Sequence, residues 1–467
     1  MIPVTLAGIA DMTGGRLDAV REPEREVTGP VVADSRLVHQ GGLFVAVPGE
    51  RVDGHEFAAA AVDAGAVAVL AQRPVGVPAV VVDDTTRALG ELARGVLERL
   101  RPRPAVVGVT GSSGKTSTKD LLAQVLALRG PLVAPQGSYN TEIGVPLTVL
   151  STDEATRTLV LEMGARGVGH VAYLCRLARP DVGAVLNVGT AHVGEFGSRE
   201  AIARAKAELV EALPAEGTAV LNGDDFLVRR MAERSAARTV MFGESVHADV
   251  RADDVRLDAG GRPSFTLVTP DGSAPVALRL VGEHQVSNAL ATAAVAHALG
   301  LEGKDVAAAL SEATARSRWR MEVTDRGDGV TIINDAYNAN PESMRAALQT
   351  LVTIGRDRRT WAVLGEMREL GTASEAEHDA LGRLAVSLGV GRLVAVGEGA
   401  RPVEAGAAAA GEGRQGRAEW VPDVERAIDL LRAQVTAGDV VLVKASRAAG
   451  LERLAAALSE EEEVTSR

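Results

Sequence analysis

An apolar, β-branched run from Ala105 to Val109 leads into a loop holding Gly111 and Gly114. Lys115 and Thr116 follow, and Leu121, Leu122, Val125, Leu126 and Leu128 then recur at helical spacing. Strand, glycine loop, Lys-Thr and helix, in that order, form the layout of a phosphate-binding loop. Glycines let the backbone curl so that several N–H groups face inward, and the helix N-terminus adds partial positive charge at that spot. Lys115 is positioned to reach β- and γ-phosphates, and the Thr116 hydroxyl to ligate Mg²⁺. The first glycine of the standard motif is replaced by Val109, with glycines at Gly108 and Gly111 instead. A phosphate loop alone does not separate a ligase, a kinase, a switch or a motor.

Alternating strands and helices after this loop predict an α/β chain with a parallel central sheet. At 467 residues the chain has room for about three domains. We place them at 1–101, 102–320 and 321–467, with the stiff stretch Arg101 to Pro104 at the first boundary. The formal net charge of −12 argues against a nucleic-acid-binding protein. The lone cysteine, Cys175, excludes an internal disulfide and reads as a small core residue. The N-terminus lacks basic residues before its apolar part, and no apolar run approaches the ~18 residues that would cross a bilayer. A soluble, cytoplasmic protein is expected.

Polar residues interrupt apolar elements at a few places. Thr158 to Gly164 is an apolar strand ending at Glu162, and Val182 to His192 reads as another ending near His192. Ligands of open α/β sheets sit at the carboxyl ends of strands, so both residues fall near the phosphate loop if their strands neighbour it. A helix over 198–213, with Ser198 as cap, carries Lys206 on the same stripe as Ile202, Leu209 and Val210. Either Lys206 snorkels at the stripe edge, or it is buried with a depressed pKa. Val246 to Val281 alternates and turns at Asp271-Gly272, which predicts an antiparallel hairpin. In the last third, Asn334 to Asn340 is a polar loop at a strand's carboxyl end, followed by Pro341 in the first helical turn. Asp34-Ser35-Arg36 reads by itself as an exposed turn, and the acidic tail about 459–467 as disordered.

Taken together these motifs resemble the Mur ligase family, the ATP-dependent amide ligases of peptidoglycan synthesis. The resemblance rests on TGSSGKTSTKD, NTEIGVPLT, LEMG, NVGTAHVGEFGS, IARAKAEL, HQVSNALAT, NDAYNANPES, VLGEMRELG and VLVKASR, and spans nearly the whole chain. It implies a central P-loop domain between an N-terminal UDP-substrate α/β domain and a C-terminal Rossmann-like α/β domain. AHVGEFGS and DAYNANPES place the chain nearest the branch that joins D-alanyl-D-alanine to UDP-N-acetylmuramoyl-tripeptide. Alternatives are the preceding ligase, which adds the third peptide residue, and a nucleotide switch without ligase activity. By resemblance, Thr110, Gly111, Ser112, Ser113, Gly114, Lys115, Thr116, Asn288, Arg320 and Asp335 bind ATP. Lys115, Glu162, His192 and Lys206 are the implied catalytic set. Thr116, Glu162, His192 and Lys206, the last as a carbamate, are the implied Mg²⁺ ligands. Asp34, Ser35, Arg36, Asn140, Thr141, Asn338 and Asn340 are implied to hold the substrates. The chain is expected to act as a monomer.

Overall fold

The strand Ala105–Thr110 runs inside the largest sheet, between Val182–Val185 on one side and Thr158–Glu162 on the other, and pairs parallel with both. From Val106 onward its residues are buried on both faces, which is why it reads as one unbroken apolar run rather than an alternating one. The computed structural model describes residues 1–49, 52–135, 137–190, 193–411 and 418–460.

This sheet has nine strands. In spatial order they are Gly272–Ala277, Pro263–Thr269, Val250–Leu257, Arg238–Gly243, Thr218–Asn222, Val182–Val185, Ala105–Thr110, Thr158–Glu162 and Leu132–Val133. The predicted hairpin is present, with Thr269 opposite Gly272. The register sets Glu162 opposite Val109, so the carboxylate emerges where the phosphate loop begins. The neighbouring strand is shorter than the sequence suggests. Leu186 N–H still bonds Thr110 O at 3.0 Å. Asn187 then turns its side chain and its carbonyl toward the loop, and the ladder stops.

Two smaller sheets flank it. The N-terminal one has five strands in the order Arg16–Asp18, Ala79–Val81, Ala68–Ala71, Leu43–Val45, Val31–Val32. The C-terminal one has six, in the order Glu322–Asp325, Thr331–Asp335, Val440–Lys444, Thr360–Leu364, Arg392–Val396, Ala418–Val421. Each is parallel except for one edge pair.

The helix Thr85–Arg99 ties the first two modules together. Asp84 caps it by accepting from the N–H groups of Thr86 and Arg87. Its Leu89, Leu92 and Val96 are fully buried in one core with Val145, Val149 and Leu174 of the middle module. Each such side chain contributes about 1.5–3 kcal/mol by burial, so these two modules are packed rather than merely linked. The helix His284–Ala298 is buried nearly all round, and its many alanines let it lie close to the sheet and to the helix Lys115–Val125. Cys175 is core, as expected, with its thiol pushed up to about 12 by desolvation. The last helix ends at Ser459, and 461–467 lie outside the described residues.

Candidate active site

Gly114 precedes the helix Lys115–Val125 at φ +81°, and a Cβ there would lie 2.5 Å from Asn288 Oδ1. Only glycine allows both that backbone and that approach. Asn288 is thereby seated at the base of the loop, held by Thr118 Oγ1 at 3.3 Å and by its own amide donating to Gln285 at 2.9 Å. On the other flank, Asn187 Oδ1 accepts from the N–H groups of Ser112 and Ser113, both at 2.9 Å. Its amide donates back to Ser113 O at 3.2 Å. Lys115 Nζ rests on Gly111 O at 2.7 Å.

Thr116 Oγ1 donates to Glu162 Oε2 at 3.0 Å and lies 3.1 Å from Ser138 Oγ. The other Glu162 oxygen accepts from Asn140 Nδ2 at 2.9 Å. Two oxygen donors of a hydroxyl and a carboxylate, converging beside a phosphate loop, suit a hard cation that takes further ligands from phosphates and water. Among the described residues there is no cluster of three or more His, Cys, Asp or Glu side chains that could form a complete metal cage. A site completed by substrate oxygens fits this donor set better than a dedicated cage.

Burial pulls the Lys115 ammonium below its ordinary pKa, opposed by Glu162 and reinforced by Arg320. Lys206 is only 4% exposed, so the snorkelling alternative gives way to burial. Desolvation, with a smaller push from Lys115, drives its pKa well below the ordinary value. Burial of this kind disfavours the charged ammonium relative to the free amine.

The C-terminal module closes the cleft. Arg320 stacks over the Tyr337 ring at 4.3 Å and reaches Ser138 Oγ at 3.2 Å, leaving its Nε buried without a hydrogen-bond partner among the described residues. Asp335 pairs with Lys444 Nζ at 2.5 Å and accepts from Met321 N–H at 3.1 Å. Lys444 also donates to Asn338 O at 2.9 Å. Asn340 caps the helix Pro341–Ile354 in a reciprocal capping box with Ser343. A cavity of about 560 Å³ results, walled by Lys115, Thr116, Glu162 and Asn288 on one side and by Asp335 and Lys444 on the other.

Of the residues expected from the sequence, Ser112, Ser113, Gly114, Lys115, Thr116, Asn140, Glu162, Asn288, Arg320, Asp335, Asn338 and Asn340 all border this cavity. Thr110, Gly111, Thr141 and Lys206 do not. Thr110 is wholly buried, Gly111 supplies a carbonyl to Lys115, and the Thr141 hydroxyl accepts from Gly144 N–H at 3.4 Å. Asp34, Ser35 and Arg36 lie apart in the N-terminal module. His192 falls outside the described residues. Sequence reasoning did not single out Asn187, Ser138, Gln285, Glu342 or Lys444. Lys444 had a signal of its own, as a lone charge closing the apolar strand Val440–Lys444.

A P-loop strand inside a parallel sheet, facing a second α/β module across a polar cavity, defines a nucleotide-dependent enzyme that works between domains. The chain belongs to the Mur ligase family. The Mur ligase middle domain matches residues 109–296, the glutamate ligase domain 319–447, and the family's catalytic domain 30–96. UDP-N-acetylmuramoyl-tripeptide–D-alanyl-D-alanine ligase of Mycobacterium tuberculosis is 50% identical, over 98% of each chain. That of Bacillus subtilis is 35% identical over 97% of this chain and 98% of its own. Among solved structures, MurF from Acinetobacter baumannii superposes with a TM-score of 0.87 at 33% identity, over 98% of this chain and 99% of that one. MurF ligase from Thermotoga maritima in complex with ADP gives 0.80 at 32% identity, over 93% and 97%.

Proposed function

We propose that this protein joins D-alanyl-D-alanine to UDP-N-acetylmuramoyl-tripeptide, converting ATP to ADP and phosphate, in the cytoplasm. The carrying observation is the Thr116–Glu162–Asn140 cluster at the mouth of the phosphate loop, in a chain half identical to a ligase of that name. No helix among the described residues is long and apolar enough to cross a membrane. We also place the module boundaries near residues 101 and 320, where the sheets are separated in sequence.

A peptide carboxylate is a poor electrophile because oxide would have to leave. A carboxylate oxygen therefore attacks the γ-phosphorus and ADP departs, leaving an acyl phosphate. The dipeptide amine then attacks the carbonyl carbon, loses a proton, and inorganic phosphate leaves with the C–O bond. Little covalent work falls to the protein, which neutralises charge and aligns the partners. Lys115 and the helix N-terminus face the phosphates, and Arg320 comes from the module junction with its Nε donor unpartnered among the described residues. Asn288 and Gln285 stand where a purine edge can be hydrogen-bonded. Thr116 and Glu162 would hold Mg²⁺, and His192 and Lys206 would serve a second ion. Bound Mg²⁺ supplies Lewis-acid neutralisation of the phosphate oxygens.

Lys206 acts as a carbamate. In its uncharged form, which burial favours, the amine adds to CO₂, forming an N–C bond and releasing one proton. This turns a costly buried base into an anionic oxygen ligand. Asp34, Ser35 and Arg36 hold the UDP end of the substrate, and Thr141 shapes the loop carrying Asn140.

The test is ADP release with mass detection of product across a substrate panel. Turnover must require both a UDP-muramoyl tripeptide and D-alanyl-D-alanine. Turnover with a UDP-muramoyl dipeptide and a free amino acid would point to the preceding ligase. ADP release without either substrate would point to a switch.

A further inference from the structure

Glu342 stands in the first turn of the helix Pro341–Ile354, in the C-terminal module. Its Oε1 accepts two hydrogen bonds from one residue of the middle module, Thr190: the backbone N–H at 2.7 Å and the hydroxyl at 3.0 Å. A Cβ on Gly189 would lie 2.6 Å from the Glu342 carboxyl carbon, so only glycine admits the contact. The segment 187–190 that receives it is tied at its other end to the phosphate loop. Asn187 holds the N–H groups of Ser112 and Ser113, and Gly189 N–H donates to Ser112 Oγ at 2.9 Å. Asp225 and Arg199 brace Val188 between them, at 2.8 and 2.9 Å. One short segment therefore bonds the nucleotide loop on one side and the C-terminal module on the other.

We infer that Glu342 is a positioning residue, the clasp that seats the C-terminal module on the nucleotide-binding module through Thr190. Its second oxygen, Oε2, is buried with no partner among the described residues. Opening the cleft would return that oxygen to water, so the carboxylate gains two charge-assisted bonds on closing and loses hydration. Such a contact is reversible: strong enough to align the modules, yet not so strong as to hold products in. The capping box at Asn340 fixes the helix start and so fixes the reach of the clasp. Because 187–190 also grips Ser112 and Ser113, nucleotide occupancy and module closure act on the same segment.

This inference rests on the ligase reading only for its kinetic arm. Closure is measured on the full chain by small-angle scattering with and without a non-hydrolysable ATP analogue. Thermal unfolding of every variant checks that it folds. Glu342→Ala and Thr190→Val should close less at a given nucleotide concentration. They should also raise KM for ATP and dipeptide about tenfold, with kcat changed much less. Glu342→Gln keeps an acceptor without the charge and should close less readily than the native chain but more readily than Glu342→Ala. Gly189→Ala should open the native chain but cost little on top of Glu342→Ala, since the clashing carboxylate is gone. Native closure and KM in folded Glu342→Ala overturn the clasp. So does native closure in Glu342→Gln with lost dipeptide affinity, which would assign the charge to substrate binding. Clasp-dependent closure in a chain inactive on every substrate would sink the ligase reading and leave the clasp standing.

Discussion

Thr116 Oγ1 and Glu162 Oε2 lie 3.0 Å apart, although 46 residues separate them in sequence. Parallel pairing brings them together by setting Glu162 against Val109, and Asn140 pins the other carboxylate oxygen. The carboxylate is thus held in one orientation by partners on both of its oxygens.

Glu162→Gln keeps size and one acceptor while removing the charge. We expect turnover to fall roughly 10²–10³-fold, the scale for losing one preorganised electrostatic group. The Mg²⁺ concentration for half-maximal phosphate release should rise as well. An unchanged Mg²⁺ response would remove Glu162 from the metal site.

Lys206→Ala should lose activity and regain part of it with added formate or acetate, which can occupy the space of a carbamate. Full activity of this variant in ambient CO₂ would refute the carbamate. A second signature is pH-dependent stability. In CO₂-free buffer the folded chain, with its lowered amine pKa, binds fewer protons than the unfolded chain, whose amine titrates near 10.5. Stability must therefore rise with pH between the lowered folded value and 10.5, and Lys206→Met should lack that rise. Unfolding midpoints across that window read the difference.

Much of this architecture was legible because local pattern carried it. Glu162 ends an apolar strand, and Lys206 interrupts an apolar helical stripe. Asn340-Pro341 reads as a helix start, and Asp271-Gly272 as a hairpin. Glu342 and Asn187 were not legible in this way. Their partners lie 152 and 75 residues away, and nothing in their neighbourhoods marks them. A glutamate in a first turn is ordinary helix chemistry. Only the fold shows that this one faces another module. Lys206 was legible as an anomaly, and its burial decides between the two alternatives the sequence left open.

Lys444 is 1% exposed, and its ammonium meets Asp335 at 2.5 Å. Removing one member of a buried pair leaves the other charged and unpaired, at about 3–5 kcal/mol. Lys444→Ala should lower the unfolding midpoint and raise KM for ATP, because Asp335 also fixes Met321 N–H beside Arg320. Lys444→Ala/Asp335→Ala should recover part of the stability without recovering ATP affinity. Equal losses in the single and double variants would show that the pair does not act as a unit.

Arg36 is folded back onto Asp34, with Nε and Nη2 at 2.9 and 2.6 Å from the two carboxylate oxygens. The Asp34 carboxylate also caps the short turn Ser35–Leu37. The Arg36 bonds hold it down to about 2, so the pair stays ionised throughout the neutral range. Both side chains face water, with Arg36 86% exposed, and such a surface pair adds little stability. A doubly charged pyrophosphate can therefore compete for the guanidinium at small cost, while Asp34 keeps the backbone turn in place. Arg36→Ala should raise KM for the UDP-linked substrate roughly tenfold, the scale of one lost charge-assisted contact. KM values for ATP and dipeptide should stay near native, because the turn is remote from the ATP cavity. Asp34→Asn retains a capping oxygen but frees the arginine, so it should bind the UDP substrate no more weakly than the native chain does. Raising ionic strength should narrow the gap between native and Arg36→Ala, since exposed charges are screened. If Arg36→Ala instead raises KM for all three substrates equally, the turn acts on module packing and Arg36 does not touch the pyrophosphate.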